Sequence, residues 1–288
     1  MTLNLNGVCA SYLRLMHNRK PHAHEEKTGA LMTFIPLHAF NDNYIWLIKE
    51  KDSSRIWAVD PGDADVVIQY CNEHQLTLEG ILITHHHKDH TGGVLKLKNQ
   101  YRCSVYGPQH LVPLVTHPLH EGDTVRVYST TFTIIETPGH TLDHLCYLSD
   151  QATPALLSGD TLFRGGCGRI MEGTPEQMLT AMNKLATLPD NTLVYCTHEY
   201  TLANYRFALH LDQNNSDLIS AQKNCSQLRE NNEVTIPSTL KLEKATNPFL
   251  RTQIPRVVAQ AADQLGENVA NDPVSAFSQV RRAKDSFS

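Results

Sequence analysis

Four histidines and an aspartate fall within six consecutive positions, 85–90, of the run LITHHHKDHTGG at residues 82–93. Neutral imidazole and carboxylate together suit Zn, Mn or Fe. Alternate side chains of an extended or tightly turned backbone point the same way. His85 and His87 can therefore reach one ion together, while His86 points away and is expected to bind neither ion. Asp89 and His90 follow where the chain should turn into a helix near TGGVLKL, so they project elsewhere and can serve a second ion. Three more metal-capable residues stand where apolar runs stop: IIETPG runs into His140, ALLSG into Asp160 and LVYCT into His198. Any one alone is an ordinary turn or cap residue; with H-x-H-x-D-H they form a pattern. One ion needs about four ligands. His85, His87 and His140 supply three for one ion; Asp89, His90 and His198 supply three for the other. Asp160 remains, and its two oxygens can bridge ions ~3.5–4 Å apart, as in two-metal hydrolytic sites. A hydroxide between the ions would then be the nucleophile, with Asp89 and Asp160 as metal-held catalytic carboxylates.

The elements that must carry these residues are short and β-rich. NYIWLI (43–48), RIWAVD (55–60), GILIT (80–84), CSVYG (103–107), TVRVY (124–128), TFTIIET (131–137), HLCYLS (144–149), ALLSGD (155–160) and TLVYCT (192–197) read as strands between turn signals. Met32 opens a further strand-like run, MTFIPL. Residues 174–188, TPEQMLTAMNKLATL, read as a helix, with Thr174 as N-cap, Pro175 at the first helical position and Gln177 closing a capping box. Strands with helices outside predict a layered α/β sandwich over 32–204. Beyond 205 strand signals fade, and 205–288 is expected to be a smaller helical domain whose last helix starts at Asp272 and Pro273. Residues 1–31 have no clear period and read as a disordered extension. A transit segment is the alternative, since residues 1–24 carry Arg14, Arg19 and Lys20 and no acid.

Composition narrows the function. The net charge of −5 argues against general nucleic-acid binding, and no apolar run approaches the ~20 residues of a membrane span. The seven cysteines are odd in number and widely spaced, so reduced, mostly buried thiols in a cytoplasmic protein are expected.

T-H-x-H-x-D-H, PGHT (138–141), SGDTLF (158–163) and THEYT (197–201), in that order, resemble the metallo-β-lactamase fold superfamily. FRGGCGRIMEGT (163–174), HEYTLAN (198–204), NPFLR (247–251) and RRAKDSF (281–287) resemble one branch of it, glyoxalase II or hydroxyacylglutathione hydrolase. The resemblance covers roughly 32–288. It implies a four-layer αββα sandwich with a C-terminal helical substrate-binding domain. It implies hydrolysis of S-D-lactoylglutathione to D-lactate and glutathione in methylglyoxal detoxification. The implied cofactor is a pair of divalent ions, Zn in the first place with Fe or Mn accepted by the same donors. Its ligand pattern falls on His85, His87, His140 and Asp160 for one ion and on Asp89, His90, His198 and Asp160 for the other. Its glutathione contacts fall on Arg169, Tyr200, Arg281 and Lys284. Arg281 and Lys284, three apart, share a helix face and could clamp a carboxylate. Where the family has an aromatic residue this chain has Met171, which can pack against the substrate but cannot donate a hydrogen bond. A small-molecule substrate, no nucleic acid, no membrane and a monomer complete the expectation.

Outside this set, His144 is expected to support the site or lie on the surface, and Asp60 to hydrogen-bond near the metal loop, with a simple turn residue as the alternative. Cys167 is expected to be structural, and His110, His117 and His120 to be surface or loop residues. A non-catalytic protein built on a decayed hydrolase would have lost ligands, and all seven positions are filled.

Overall fold

The strand β2 (Asn43–Glu50) shows why the chain must fold in layers. Its side chains alternate across the strand. Tyr44, Trp46 and Ile48 enter one apolar cluster, while Ile45 and Leu47 enter another. A strand buried on both faces requires cover on both. The computed structural model describes residues 32–287, and the extension expected over 1–31 lies outside them.

The first sheet runs β1 (Met32–Ala39), β2, β3 (Arg55–Val59), β4 (Thr77–Leu82), β5 (Ser104–Pro108) and β6 (His117–Leu119) in spatial order. Its first three strands are antiparallel and the rest parallel. Parallel neighbours need crossovers, which α1 (Ala64–His74) and α3 (Val94–Tyr101) provide. Between β4 and α3 the single turn α2 (Lys88–Thr91) carries Asp89 and His90.

The second sheet is built from β7 (Thr124–Val127), β8 (Thr130–Glu136), β9 (Leu145–Ser149), β10 (Ala155–Gly159), β13 (Leu193–Cys196) and β14 (Ser238–Thr239). In space they lie in the order β14-β13-β10-β9-β8-β7. A two-stranded hairpin, β11 (Leu162–Phe163) with β12 (Gly166–Cys167), follows β10.

Trp46, Trp57 and Leu82 of the first sheet meet Phe132, Tyr147 and Leu157 of the second in the central cluster. Each such buried side chain stabilises by about 1.5–3 kcal/mol. Val67, Cys71, Val94 and Leu97 of α1 and α3 cover the outer face of the first sheet. Met178, Met182 and Leu185 of α4 (Pro175–Ala186) cover the outer face of the second, beside Cys146, Leu156 and Val194. The result is the expected αββα sandwich.

Helices dominate after residue 200: α5 (Thr201–Leu211), α6 (Ser216–Glu230), α7 (Leu240–Thr246), α8 (Pro255–Leu265) and α9 (Pro273–Ser286). Phe277, Val280 and Ala283 of α9 join the same cluster as α4, so this helical part is packed directly on the sandwich. Asp272 caps α9 by accepting from Ser275 N–H, as its position before a proline foretells. None of the described helices is long and apolar enough to cross a membrane.

All nine strand runs read from the sequence are strands, and MTFIPL opens β1. The strands not foreseen, β6, β11, β12 and β14, have three residues or fewer, too short to show alternation. The six described cysteines, Cys71, Cys103, Cys146, Cys167, Cys196 and Cys225, are all free and buried.

The capping box on α4 is complete: Gln177 N–H donates to Thr174 Oγ1 at 3.2 Å and Thr174 N–H to Gln177 Oε1 at 2.9 Å. Thr174→Ala is expected to cost about 1 kcal/mol of stability, read as a lower urea midpoint with turnover unchanged.

Candidate metal centre

The ends of β4, β10 and β13, and the turn before β9, deliver the predicted ligands to one place. Gly159 makes one of these deliveries possible. It adopts φ +48°, and a Cβ there would meet His144 Nε2 and Thr84 Oγ1 at 2.7 Å. Only glycine lets the chain turn this tightly into Asp160.

His85, His87 and His140 bring one nitrogen each within 4.8 Å of one another, and Asp89, His90 and His198 do the same with one ligand atom each. Asp160 lies between the two groups. Its Oδ2 is 3.5 Å from His140 Nε2, while its Oδ1 is 3.4 Å from His198 Nε2 and 3.6 Å from His90 Nε2. Asp89 Oδ2 is 3.3 Å from His90 Nε2 and 3.4 Å from His198 Nε2. His140 Nε2 and His87 Nδ1 face each other at 3.1 Å. Two donors on one ion at about 2.1 Å, spread tetrahedrally, stand about 3.4 Å apart. The observed separations are those of ligand edges.

The imidazoles are oriented from outside. Asp60 accepts from Thr84 N–H at 2.7 Å, from Thr84 Oγ1–H at 2.7 Å and from His90 Nδ1–H at 3.1 Å. With its proton on Asp60, Thr84 Oγ1 is free to accept from His85 Nδ1–H at 3.0 Å. His140 Nδ1–H donates to the Arg169 carbonyl at 2.7 Å, and His198 Nδ1–H to Asp42 Oδ1 at 2.8 Å. Four rings thus carry their proton outward on Nδ1 and turn a bare Nε2 inward, the tautomer that binds metal. His85 Nε2 and His90 Nε2 are buried without a hydrogen-bond partner, a costly state that a cation relieves. The site therefore fits a pair of divalent ions.

Charge agrees. Burial disfavours charge on His85, and with His90 beside it the ring is held well below the usual imidazole range. Burial pushes the Asp160 carboxyl up, but His90 and His198 outweigh it and hold it well below the usual carboxylate range. Burial also opposes charge on His198, yet Asp160 and Asp89 raise it to about 10. The carboxylates draw positive charge into a largely buried place, and bound cations meet that demand without protonating the ligands.

The remaining sequence candidates divide. Asp60 supports the metal loop as expected. His144 is fully buried, which rules out the surface alternative; its Nε2 accepts from Asp160 N–H at 3.0 Å. Burial pushes the Cys167 thiol up to about 11 despite Arg281 nearby, which suits a structural residue. His86 turns away from both groups, toward Asp143 and Glu172.

Around the centre, Phe40, Leu142, Met171 and Tyr200 are large apolar side chains left exposed. Each lies two residues from a side chain or carbonyl that touches the centre: Asp42, His140, Arg169 and His198. Tyr200 stacks on His198 with ring centroids 4.8 Å apart and planes at 7°.

Cations gather on one side. Lys284 Nζ donates to the Ala203 carbonyl at 3.2 Å and lies 5.4 Å above the Phe207 ring. Burial, helped by Arg281, Arg206 and Arg169, lowers Lys284 to about 8. Arg169 is exposed and is tied to the centre through its carbonyl. Arg281 is buried instead: its guanidinium donates to the Cys167 carbonyl at 2.9 Å and to Asp285 at 2.9 Å, and packs on Phe249. It bolts α9 to the hairpin beside the centre.

Sequence reading missed Asp42, Asn43, Thr197 and Arg206. Thr197 Oγ1–H donates to Asp160 Oδ1 at 2.7 Å and Asn43 Nδ2–H to Asp89 Oδ2 at 3.0 Å. Asp42 arrives on the β1–β2 turn and Asn43 opens β2, joined to the end of β13 by Tyr44 N–H to the Thr197 carbonyl and Glu199 N–H to the Asp42 carbonyl. The only local signal was the polar NDN at 41–43 where β1 turns into β2.

Comparison with known proteins gives concordant results. Residues 55–198 match the family described as the metallo-beta-lactamase superfamily, and residues 199–287 match the hydroxyacylglutathione hydrolase C-terminus. The chain is 66% identical to the hydroxyacylglutathione hydrolase of Marinomonas sp. (strain MWYL1), over 89% of this chain and all of that one. It is 45% identical to that of Pseudoalteromonas translucida (strain TAC 125), over 87% and 98%. Among solved structures, ETHE1 from Myxococcus xanthus shares the fold with a TM-score of 0.60 at 24% identity, over 87% of this chain and 90% of that one.

Asp42 holds His198 from outside the centre. Asp42→Ala is expected to weaken retention of one ion about 10–100-fold, measured as metal lost to a competing chelator with the circular dichroism spectrum unchanged.

Proposed function

Because the chain belongs to the hydroxyacylglutathione hydrolase family of the metallo-β-lactamase superfamily, we propose that the residues around Asp160 are its catalytic machinery. The reaction is hydrolysis of S-D-lactoylglutathione to D-lactate and glutathione, in methylglyoxal detoxification. The observation that carries the site assignment is Asp160, with one oxygen toward His140 and the other toward His90 and His198.

In this reading His85, His87, His140 and Asp160 hold one ion, and Asp89, His90, His198 and Asp160 hold the second. A divalent pair supplies an activated water and polarises the thioester carbonyl. The chain's own residues do the rest. Asp60, Thr84, Asp42 and the Arg169 carbonyl fix the imidazole tautomers. Tyr200 and Met171 line the approach, with Met171 offering apolar contact where a hydroxyl would offer a hydrogen bond. Arg169 and Lys284 receive the glutathione carboxylates, and Arg206 and Arg281 add to the same positive field. The leaving thiolate is stable enough to depart without a strong protein acid.

The proposal extends to zinc in both positions, a monomer, a cytoplasmic location and a substrate-binding role for 205–288. Its support is the imidazole-rich donor set, the free buried cysteines and the attachment of α9 beside the centre.

Purified protein given S-D-lactoylglutathione is expected to hydrolyse it, with loss of activity on chelation and recovery with divalent metal. Absence of turnover in the metal-loaded protein would overturn the reading. Lys284→Ala removes one charge-assisted contact and is expected to raise KM about 10–100-fold with kcat nearly unchanged. Lys284 is charged below its lowered pKa of about 8 and neutral above it. KM is therefore expected to climb as pH rises through that value, and the climb should be absent in Lys284→Ala.

A further inference from the structure

His86 is not idle, although it faces away from the centre. Its Nδ1 lies 3.0 Å from Asp143 Oδ1 and its Nε2 lies 3.2 Å from Glu172 Oε1. His110, in a short turn (Gln109–Leu111), brings its Nε2 to 3.6 Å from Asp143 Oδ2. The two imidazole rings stand 5.4 Å apart and nearly perpendicular, at 78°. One ligand atom from each of His86, His110 and Asp143 falls within 4.8 Å of the others.

Hydrogen bonding alone does not complete this cluster. A protonated His86 would satisfy Asp143 Oδ1 and Glu172 Oε1. It would leave Asp143 Oδ2 bare, and that oxygen is buried without a hydrogen-bond partner. The Asp143 side chain is only 10% exposed, so water is scarce there. His110 stands too far away to supply a hydrogen bond. A mostly buried carboxylate set between two imidazoles, one on each oxygen, with Oδ2 lacking a donor, is the electrostatic environment of a cation.

We propose that His86, His110 and Asp143 form a third, peripheral site for one divalent transition-metal ion of the zinc type. His86 binds through Nδ1 and keeps its Nε2–H on Glu172, the outer carboxylate that orients a metal-bound histidine. Glu172 is fixed for that role, since its Oε2 accepts from Leu142 N–H at 3.0 Å. Two imidazoles and one carboxylate favour Zn, Ni or Cu over Ca or Mg. His110 is half-exposed, which leaves an entry path and an open coordination position. The ion would tie together four segments: the 85–90 loop, the 109–111 turn, the loop after His140 and the loop carrying Met171. The first, third and fourth of those segments also carry groups of the central site.

The test counts metal in the intact protein at equilibrium with buffered micromolar zinc. Wild type is expected to hold three equivalents, and His110→Ala and Asp143→Asn two each. His110→Ala truncates a half-exposed turn residue and should leave the fold intact; its two remaining equivalents and its circular dichroism check this. Glu172→Gln should retain the third ion with about tenfold weaker affinity. Two equivalents in wild type, or a third that persists in both His110→Ala and Asp143→Asn, would overturn the proposal. The central pair is counted separately, so its loss would be recognised as a failure of the catalytic reading instead.

Discussion

Several bare imidazole nitrogens and two carboxylates are pressed together in a place with little water. Lone pairs facing one another at 3.1–3.6 Å repel unless a positive charge lies between them. The arrangement persists only because each ring is held from behind: His90 by Asp60, His85 by Thr84, His198 by Asp42 and His140 by the Arg169 carbonyl. The two sheets exist, in functional terms, to fix those outer partners. Asp60 follows β3, Asp42 sits on the β1–β2 turn, and Asp160 follows β10, whose backbone N–H is pinned by His144. Stability and chemistry meet at this point. The apolar clusters supply the free energy that keeps unfavourable polar neighbours in register.

The second half of the chain is joined to the first through the same region. Arg281 reaches from α9 to the Cys167 carbonyl, and Lys284 from α9 to the Ala203 carbonyl. A basic helix end on an acidic chain would ordinarily be a solvated surface. Here it is drawn inward against Phe207 and Phe249, beside the loop that carries Arg169. Desolvation makes these cations sensitive to an approaching carboxylate, because little water competes for them. The two cations are unequal, however. Arg281 is largely committed to the protein, whereas Lys284 lies under the influence of three arginines and has the lowered pKa of a group ready to pair with an anion.

What the sequence by itself determined was the positions of the longer strands, the layered fold and the residues that turn inward together. The signals that mark a short strand are local, and a run such as NYIWLI between turn residues reads as one without knowledge of the rest. H-x-H-x-D-H likewise separates His85 and His87 from Asp89 and His90 by geometry that spans only six residues. The capping box at Thr174 and the cap at Asp272 were legible for the same reason.

Only the tertiary structure decided which residues stand behind the ligands and what the spare histidine does. Asp42 and His198 are 156 positions apart, and they meet because the β1–β2 turn is hydrogen-bonded to the chain leaving β13. Nothing in a polar NDN turn announces this. His86 could be excluded from the central ions by its direction alone, but its neighbours Asp143, His110 and Glu172 come from three other segments. Local spacing fixes where a side chain points. What it points at depends on long-range packing, and that is a property of the folded chain.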